Sequence, residues 1–219
     1  MHLYLYIALE LICVGLAIRY YAALRHYQLA GLLPFLLLIS LAEMLAIWQK
    51  EVLRVSTYGT NYGVALVELF FYSFLFMRFT THRFLKRMIQ WLLPVLLFIL
   101  LVGYWFYTTR YLAFFYSLII EGFFLTACAL GYLYFQFEED RVEHPSLDPV
   151  GWIAIGVMIF FSGISIVFSL YEFIRVQQIV IGGEQIYNLI PRILSIVLYS
   201  CISMAIITCK TNFTSSSAS

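Results

Sequence analysis

The run Tyr187-Asn188-Leu189-Ile190-Pro191-Arg192-Ile193-Leu194-Ser195-Ile196-Val197-Leu198-Tyr199-Ser200-Cys201-Ile202-Ser203-Met204-Ala205-Ile206-Ile207-Thr208-Cys209 decides the class of this chain. A bilayer core about 30 Å thick takes roughly 20 apolar residues of helix to cross, and this run meets that length. Read outward from it, six earlier segments meet or approach the same test: Leu3–Leu24, Leu32–Trp48, Asn61–Phe79, Met88–Tyr107, Ala113–Phe135 and Trp152–Phe173. The second is short, so an extension into the Ala30-Gly31 turn or an upright setting is expected. The expected fold is all-α, a polytopic membrane protein with seven transmembrane helices. It forms one domain over residues 1–210, followed by a flexible cytoplasmic tail at 211–219.

Composition agrees. Of the 219 residues, 63% are hydrophobic and 11% charged, whereas soluble domains average about 45–50% and about 25%. Such a chain cannot clothe itself in polar groups in water. A soluble enzyme, a disordered protein and a secreted disulfide scaffold are excluded. The net charge of +1 gives no clustered basic face, so no nucleic-acid partner is expected. Membrane lipid is the expected solvent.

The breaks between spans carry loop chemistry: Arg25-His26-Tyr27-Gln28, Gln49-Lys50-Glu51, Tyr58-Gly59-Thr60-Asn61, a basic Thr81–Arg87 stretch, a charged Glu138–Pro149 stretch with Pro145 and Pro149 as breakers, and a Gly182-Gly183 turn. Arg19, Arg25, Arg78, Arg83, Lys86, Arg87, Arg141 and Lys210 fall on one side. Lys50, Arg54, Arg110 and Arg175 fall on the other. The excess sets the first side in the cytoplasm, giving N-out and C-in at the bacterial inner membrane. Met1-His2-Leu3-Tyr4 lacks the basic start of a cleaved signal peptide, so the first span is expected to be retained. Tyrosines and tryptophans, Tyr62, Trp91, Trp105 and Tyr132 among them, sort toward two interfacial belts. The four cysteines are expected to be buried thiols.

The ionisable groups inside the spans are the informative residues. Glu10, Glu43, Glu68 and Glu121 lie in spans one, two, three and five, and Arg192 in span seven. A charge at mid-bilayer costs about 2.5–3.5 kcal/mol on the insertion scale, so each must be paired, protonated or hydrated. Counted from the span ends that share one face, all five lie roughly 8–12 Å deep at about 1.5 Å per residue. That common level predicts a shared polar centre in the outer half of the bundle. Arg192, whose planar fork suits carboxylates, is its expected hub. Pro191 frees a carbonyl and opens a place for a ligand near Tyr187 and Asn188. Glu172 is expected to pair with Arg175 at the surface. Interhelical glue, a ligand pocket and an ion or proton pathway all remain open for these groups.

No metal is expected: the Glu-x-x-His pattern of carboxylate metal sites is missing, and His26, His82 and His144 fall on the far side. No cofactor is expected. No Ser, His and Asp converge at one depth, and neither a nucleophile elbow nor a Gly-rich phosphate loop occurs, so an enzyme is not expected. Ser162-Gly163-Ile164-Ser165 in span six reads as a close-packing surface. The acidic run Glu138–Glu143 reads as a solvated loop or a docking surface.

Two patterns carry a resemblance. Val67-Glu68-Leu69-Phe70-Phe71-Tyr72-Ser73-Phe74 resembles span three of uncharacterised small seven-helix membrane proteins of Bacteroidota-type bacteria. Trp152-Ile153-Ala154-Ile155-Gly156 followed by Phe160-Phe161-Ser162-Gly163 resembles their span six. Those proteins are in turn similar to the seven-helix sensor modules of bacterial signalling receptors. The resemblance implies a sensor without its own output domain. The polar centre itself leads to the expectation of a receptor-like protein that binds a small polar or cationic ligand at Glu10, Glu43, Glu68, Glu121, Arg192, Tyr187 and Asn188 and signals to a cytoplasmic partner. A small-solute or proton-coupled transporter is the alternative, and an assembly subunit of a membrane complex the second. The last span lacks the lysine of a retinal protein.

Overall fold

A computed structural model of the chain describes residues 2–106, 110–138, 148–177, 180–181 and 184–216. Helix α1 runs His2–Arg19, α2 Tyr21–His26, α3 Leu32–Trp48, α4 Tyr58–Phe79, α5 Arg83–Phe106, α6 Arg110–Glu138, α7 Pro149–Ser169, α8 Tyr171–Val176 and α9 Ile186–Ser216. The short strands β1 (Val180–Ile181) and β2 (Glu184–Gln185) pair antiparallel before α9. Among the described residues, six helical segments are long and apolar enough to cross a membrane: Leu32–Leu53, Tyr58–Phe79, Arg83–Gly103, Phe115–Glu138, Pro149–Ser169 and Leu189–Phe213. This is the make-up of a multi-pass membrane protein.

The second span gains its length where the sequence places a break. After Trp48 the helix widens into a π-helical turn over Gln49–Leu53 and stops at Arg54, whose φ of 54° is left-handed. The expected first span is in fact two helices, broken at Tyr20. Its end carries a Schellman motif: Leu29 N–H donates to Leu24 C=O at 2.8 Å and Gln28 N–H to Arg25 C=O at 3.1 Å. Gln28 takes the left-handed position, φ 59°, usually given to glycine. The buried pair Leu24 and Leu29 completes the motif. No turn-former marks the break at Tyr20; the end at Gln28 falls in the break expected at Arg25-His26-Tyr27-Gln28.

Other boundaries move for identifiable reasons. Arg83, Lys86 and Arg87 belong to the first turns of α5 rather than to a loop. Pro149 starts α7 instead of breaking a helix, because a proline at the first helical position costs no hydrogen bond. Asp148 caps α7, accepting from Val150 N–H at 3.2 Å and Gly151 N–H at 2.8 Å. The same carboxylate accepts from Tyr132 Oη at 3.0 Å and Gln136 Nε2 at 2.7 Å, tying α6 to α7. Phe173 falls on α8, and the tail expected to be unstructured from 211 is helical through Ser216. Gly182-Gly183, residues 139–147 of the charged stretch with Arg141, His144 and Pro145, and 217–219 lie outside the described residues.

Helices α1, α3, α4, α6, α7 and α9 pack successively into a closed ring, and α5 packs outside it against α4 and α6. Trp91, Phe98 and Trp105 on α5 are 76%, 68% and 82% exposed. In water such a face would be a liability; in lipid it is the solvent side. Tyr62 is buried rather than interfacial, and donates to Leu100 C=O of α5 at 2.5 Å. Tyr132 is buried likewise by its bond to Asp148.

Helix α1 lies parallel to α9. Cys13 Sγ donates to Tyr199 C=O at 3.0 Å and sits 2.9 Å from Ser203 Oγ. Farther along, Lys210 Nζ lies 5.3 Å from the Tyr20 ring, and His26 meets Phe213 edge-on. Cys13, Cys128 and Cys209 are buried free thiols, and Cys201 is half-buried.

Small residues set the ring's diameter. A Cβ on Gly122 of α6 would lie 2.0 Å from Ser165 Oγ and 2.8 Å from Phe161 C=O of α7. One on Gly163 would lie 2.6 Å from a methyl of Leu194 on α9. The Ser162–Ser165 stretch is therefore a packing surface, as its small residues imply. Gly122→Ala is expected to destabilise the protein by about 1–3 kcal/mol through overpacking. Gly15→Ala, where nothing lies within 4 Å, should leave it unchanged or gain up to about 1 kcal/mol of helix propensity. Paired unfolding curves in detergent check both.

Candidate functional site

Four consecutive members of the ring each contribute one carboxyl to a single layer. Glu10 of α1 is 2% exposed and lies beside Ser40 and Glu43 of α3 and Tyr199 of α9. Glu43 has Tyr6 of α1 beside it and lies within electrostatic reach of Glu68 on α4. Glu68 is in reach of Glu10, and Glu121 of α6, 1% exposed, is in reach of Glu68. Tyr72, one turn beyond Glu68, is buried among Glu68, Glu121 and Cys13.

Local spacing explains the gathering. Tyr6, Glu10 and Cys13 recur at helical intervals on one side of α1, and Ser40 with Glu43 do the same on α3. Each acid turns inward because the opposite side of its helix faces lipid. The layer is only partly satisfied. Among the described residues, Oε1 of Glu10, Oε2 of Glu43, both carboxyl oxygens of Glu121 and the hydroxyls of Ser40 and Ser73 are buried with no hydrogen-bond partner. Unused acceptors of this kind can take a polar guest or a proton. No group of three or more His, Cys, Asp or Glu among the described residues could hold a metal ion.

Arg192 sits at the wall of a cavity of about 650 Å³ at the end of the bundle where α4 and α9 begin. Its other walls come from Tyr6, Lys50, the 55–58 segment, Asn61, Phe115, Phe168, Tyr171, Tyr187 and Pro191. Pro191 lies inside α9 and has no N–H, so the carbonyl one turn back, at Tyr187, loses its helical donor. Ser195 Oγ donates to Pro191 C=O at 3.0 Å, steadying the turn that follows. The aromatic wall is continuous: Phe115 stacks on Tyr171 at 4.5 Å, meets Phe168 edge-on at 5.0 Å, and Tyr187 meets Tyr171 at 5.1 Å.

Tyr6 joins the two regions. It lines the cavity, and it lies within reach of Glu43, Glu10 and Arg192, with Glu43 beside it. The four glutamates are thus brought together, and Arg192 and Tyr187 are brought together in the cavity wall. The side chains of Asn188, Glu172 and Arg175 lie outside the described residues. Sequence reasoning missed Tyr6, Ser40, Tyr72, Tyr199 and Lys50. The spacing of Tyr6 to Glu10 and of Ser40 to Glu43 was the available signal; Lys50 was hidden because its segment read as a loop.

No known protein family, curated protein or solved structure matches the chain.

Glu121 offers a direct check on the layer. A buried polar atom without a partner costs about 1–3 kcal/mol. Glu121→Met is therefore expected to raise the apparent unfolding midpoint of the protein in nanodiscs. A fall of several degrees would show that Glu121 is satisfied in the folded protein.

Proposed function

We propose that this chain is a receptor-like integral protein of the bacterial inner membrane that binds a small ligand in the cavity beside Arg192 and Tyr6. It works by binding, not by catalysis. In this reading α1 is a seventh span, the N-terminus lies outside and the C-terminus inside, and the cavity opens to the outer face. The parallel course of α1 and α9 supports the seventh span, since Cys13 meets Ser203 and Tyr20 meets Lys210. The orientation rests on the Lys and Arg excess at the opposite end of the bundle. A cytoplasmic partner would read the change at the 81–87 and 138–149 connections.

The observation that carries the reading is the position of Tyr6. Its ring forms part of the cavity wall, and Glu43 of the buried layer is its neighbour. A ligand that touches Tyr6 acts on α1, α3 and α9 together, because Glu10 lies beside Glu43 and Tyr199. Such a ligand shifts helix packing only if it prefers one arrangement over another. The chain of carboxyls from Glu43 to Glu121 favours a second reading, proton-coupled transport, in which the layer carries protons across the ring's interior.

Two measurements test this. Reporter fusions at the C-terminus should be active only when the reporter works in the cytoplasm; activity of an export-dependent reporter contradicts the orientation. A thermal-shift screen of small organic ions against the protein in nanodiscs should yield stabilising compounds whose effect disappears in Arg192→Leu. A shift that survives that substitution places binding elsewhere. Uptake driven by a pH gradient in proteoliposomes would favour the transport reading.

A further inference from the structure

The chemistry of the cavity wall selects among ligands. Among the described residues that line it there is no carboxylate, and two cationic side chains are present, Lys50 and Arg192. The glutamates lie behind Tyr6, so a guest in the cavity meets positive charge first. Two long helices also begin here, α4 at Tyr58 and α9 at Ile186. A helix N-terminus carries about half a positive charge; at α4 the first N–H, that of Tyr58, is met by Ser56 Oγ at 3.4 Å. Thr57, the residue before α4, makes no capping bond to that helix; its hydroxyl accepts instead from Asn61 Nδ2 at 3.4 Å. Two side-chain cations and two helix starts therefore converge on one hollow.

Another part of the wall is aromatic, formed by the Phe115–Tyr171 stack and by Tyr187, which meets Tyr171 edge-on. A volume of about 650 Å³ falls within the range of about 300–1,000 Å³ found for small-molecule sites. Resting on the cavity reading above, we propose that the ligand is an organic anion, a carboxylate or phosphate carried on an apolar body. The anion sits between Lys50, Arg192 and the first turn of α4, and the apolar body lies against the aromatic wall. This replaces the cationic ligand expected from the glutamates. The same chemistry has two sources, a soluble organic anion and the headgroup of an anionic lipid.

The test uses the full chain in phosphatidylcholine nanodiscs and four probes that share one ring: benzoate, phenyl phosphate, benzylamine and benzyl alcohol. Calorimetric titration should show binding of phenyl phosphate or benzoate and none of benzylamine or benzyl alcohol. Lys50 is exposed, so Lys50→Gln leaves folding intact; it should weaken anion binding by about tenfold or more, the loss of one charge-assisted contact. In discs containing phosphatidylglycerol, competition with the anionic probes, or a rise in unfolding midpoint that Lys50→Gln abolishes, assigns the site to a lipid headgroup. Absence of both effects, with the probes still binding, assigns it to a soluble anion. Benzylamine or benzyl alcohol binding as tightly as benzoate, or anion binding unchanged in Lys50→Gln, overturns the anion assignment and leaves the cavity reading standing. No binding by any probe and no response to phosphatidylglycerol, from protein that unfolds cooperatively, overturns both.

Discussion

A carboxyl group inside the hydrocarbon layer has to turn away from lipid, and that requirement organises this bundle. Each acid in the membrane-spanning part of the chain would cost about 2.5–3.5 kcal/mol at mid-bilayer on the insertion scale. Helices α1, α3, α4 and α6 carry one such acid each and stand next to one another in the ring. Helix α5 carries none and stands outside it. Every helix with such an acid stands in the ring with the acid's neighbours around it. Helix α7 carries no acid either, and holds its place in the ring through small residues that let α6 and α9 approach closely.

The two kinds of contact divide the work. Shape fixes the α6–α7–α9 side, where Gly122, Gly156 and Gly163 meet neighbours that leave no room for a methyl group. Polar neighbours occupy the α1–α3–α4 side, where Glu10, Ser40, Glu43 and Tyr199 gather. The polar side has acceptors left over, at Glu10 and Glu43. A cavity whose wall includes Tyr6 is attached to that side, which is where a binding event has leverage on packing.

Much of this was legible in the sequence. Apolar length located the spans, and the Leu32–Trp48 helix has the boundaries read from the chain alone. The common depth of Glu10, Glu43, Glu68 and Glu121 was visible because helical rise converts residue counts into distance. The π-helical turn at Gln49–Leu53 and the extension of α9 past 210 were not visible. Each depends on tertiary packing around a stretch whose polar residues read as a loop. The cavity was hidden for the same reason, since Lys50 and the 55–58 segment belong to that stretch. Arg192 was found as a residue, but its setting beside Tyr6 and Lys50 depends on how α1, α4 and α9 begin at one level.

The polar centre depends on the carboxyls acting as one group, and Glu10 beside Glu43 is the pair on which it turns. A double-mutant cycle measures that link: unfolding free energies of the parent, Glu10→Gln, Glu43→Gln and the double variant, in one detergent at one pH. Neighbours in a shared network give an interaction energy of about 0.5–3 kcal/mol, and a value in that range is predicted here. Strict additivity of the two substitutions would mean that the acids do not meet, and the polar centre of the bundle would be lost with them.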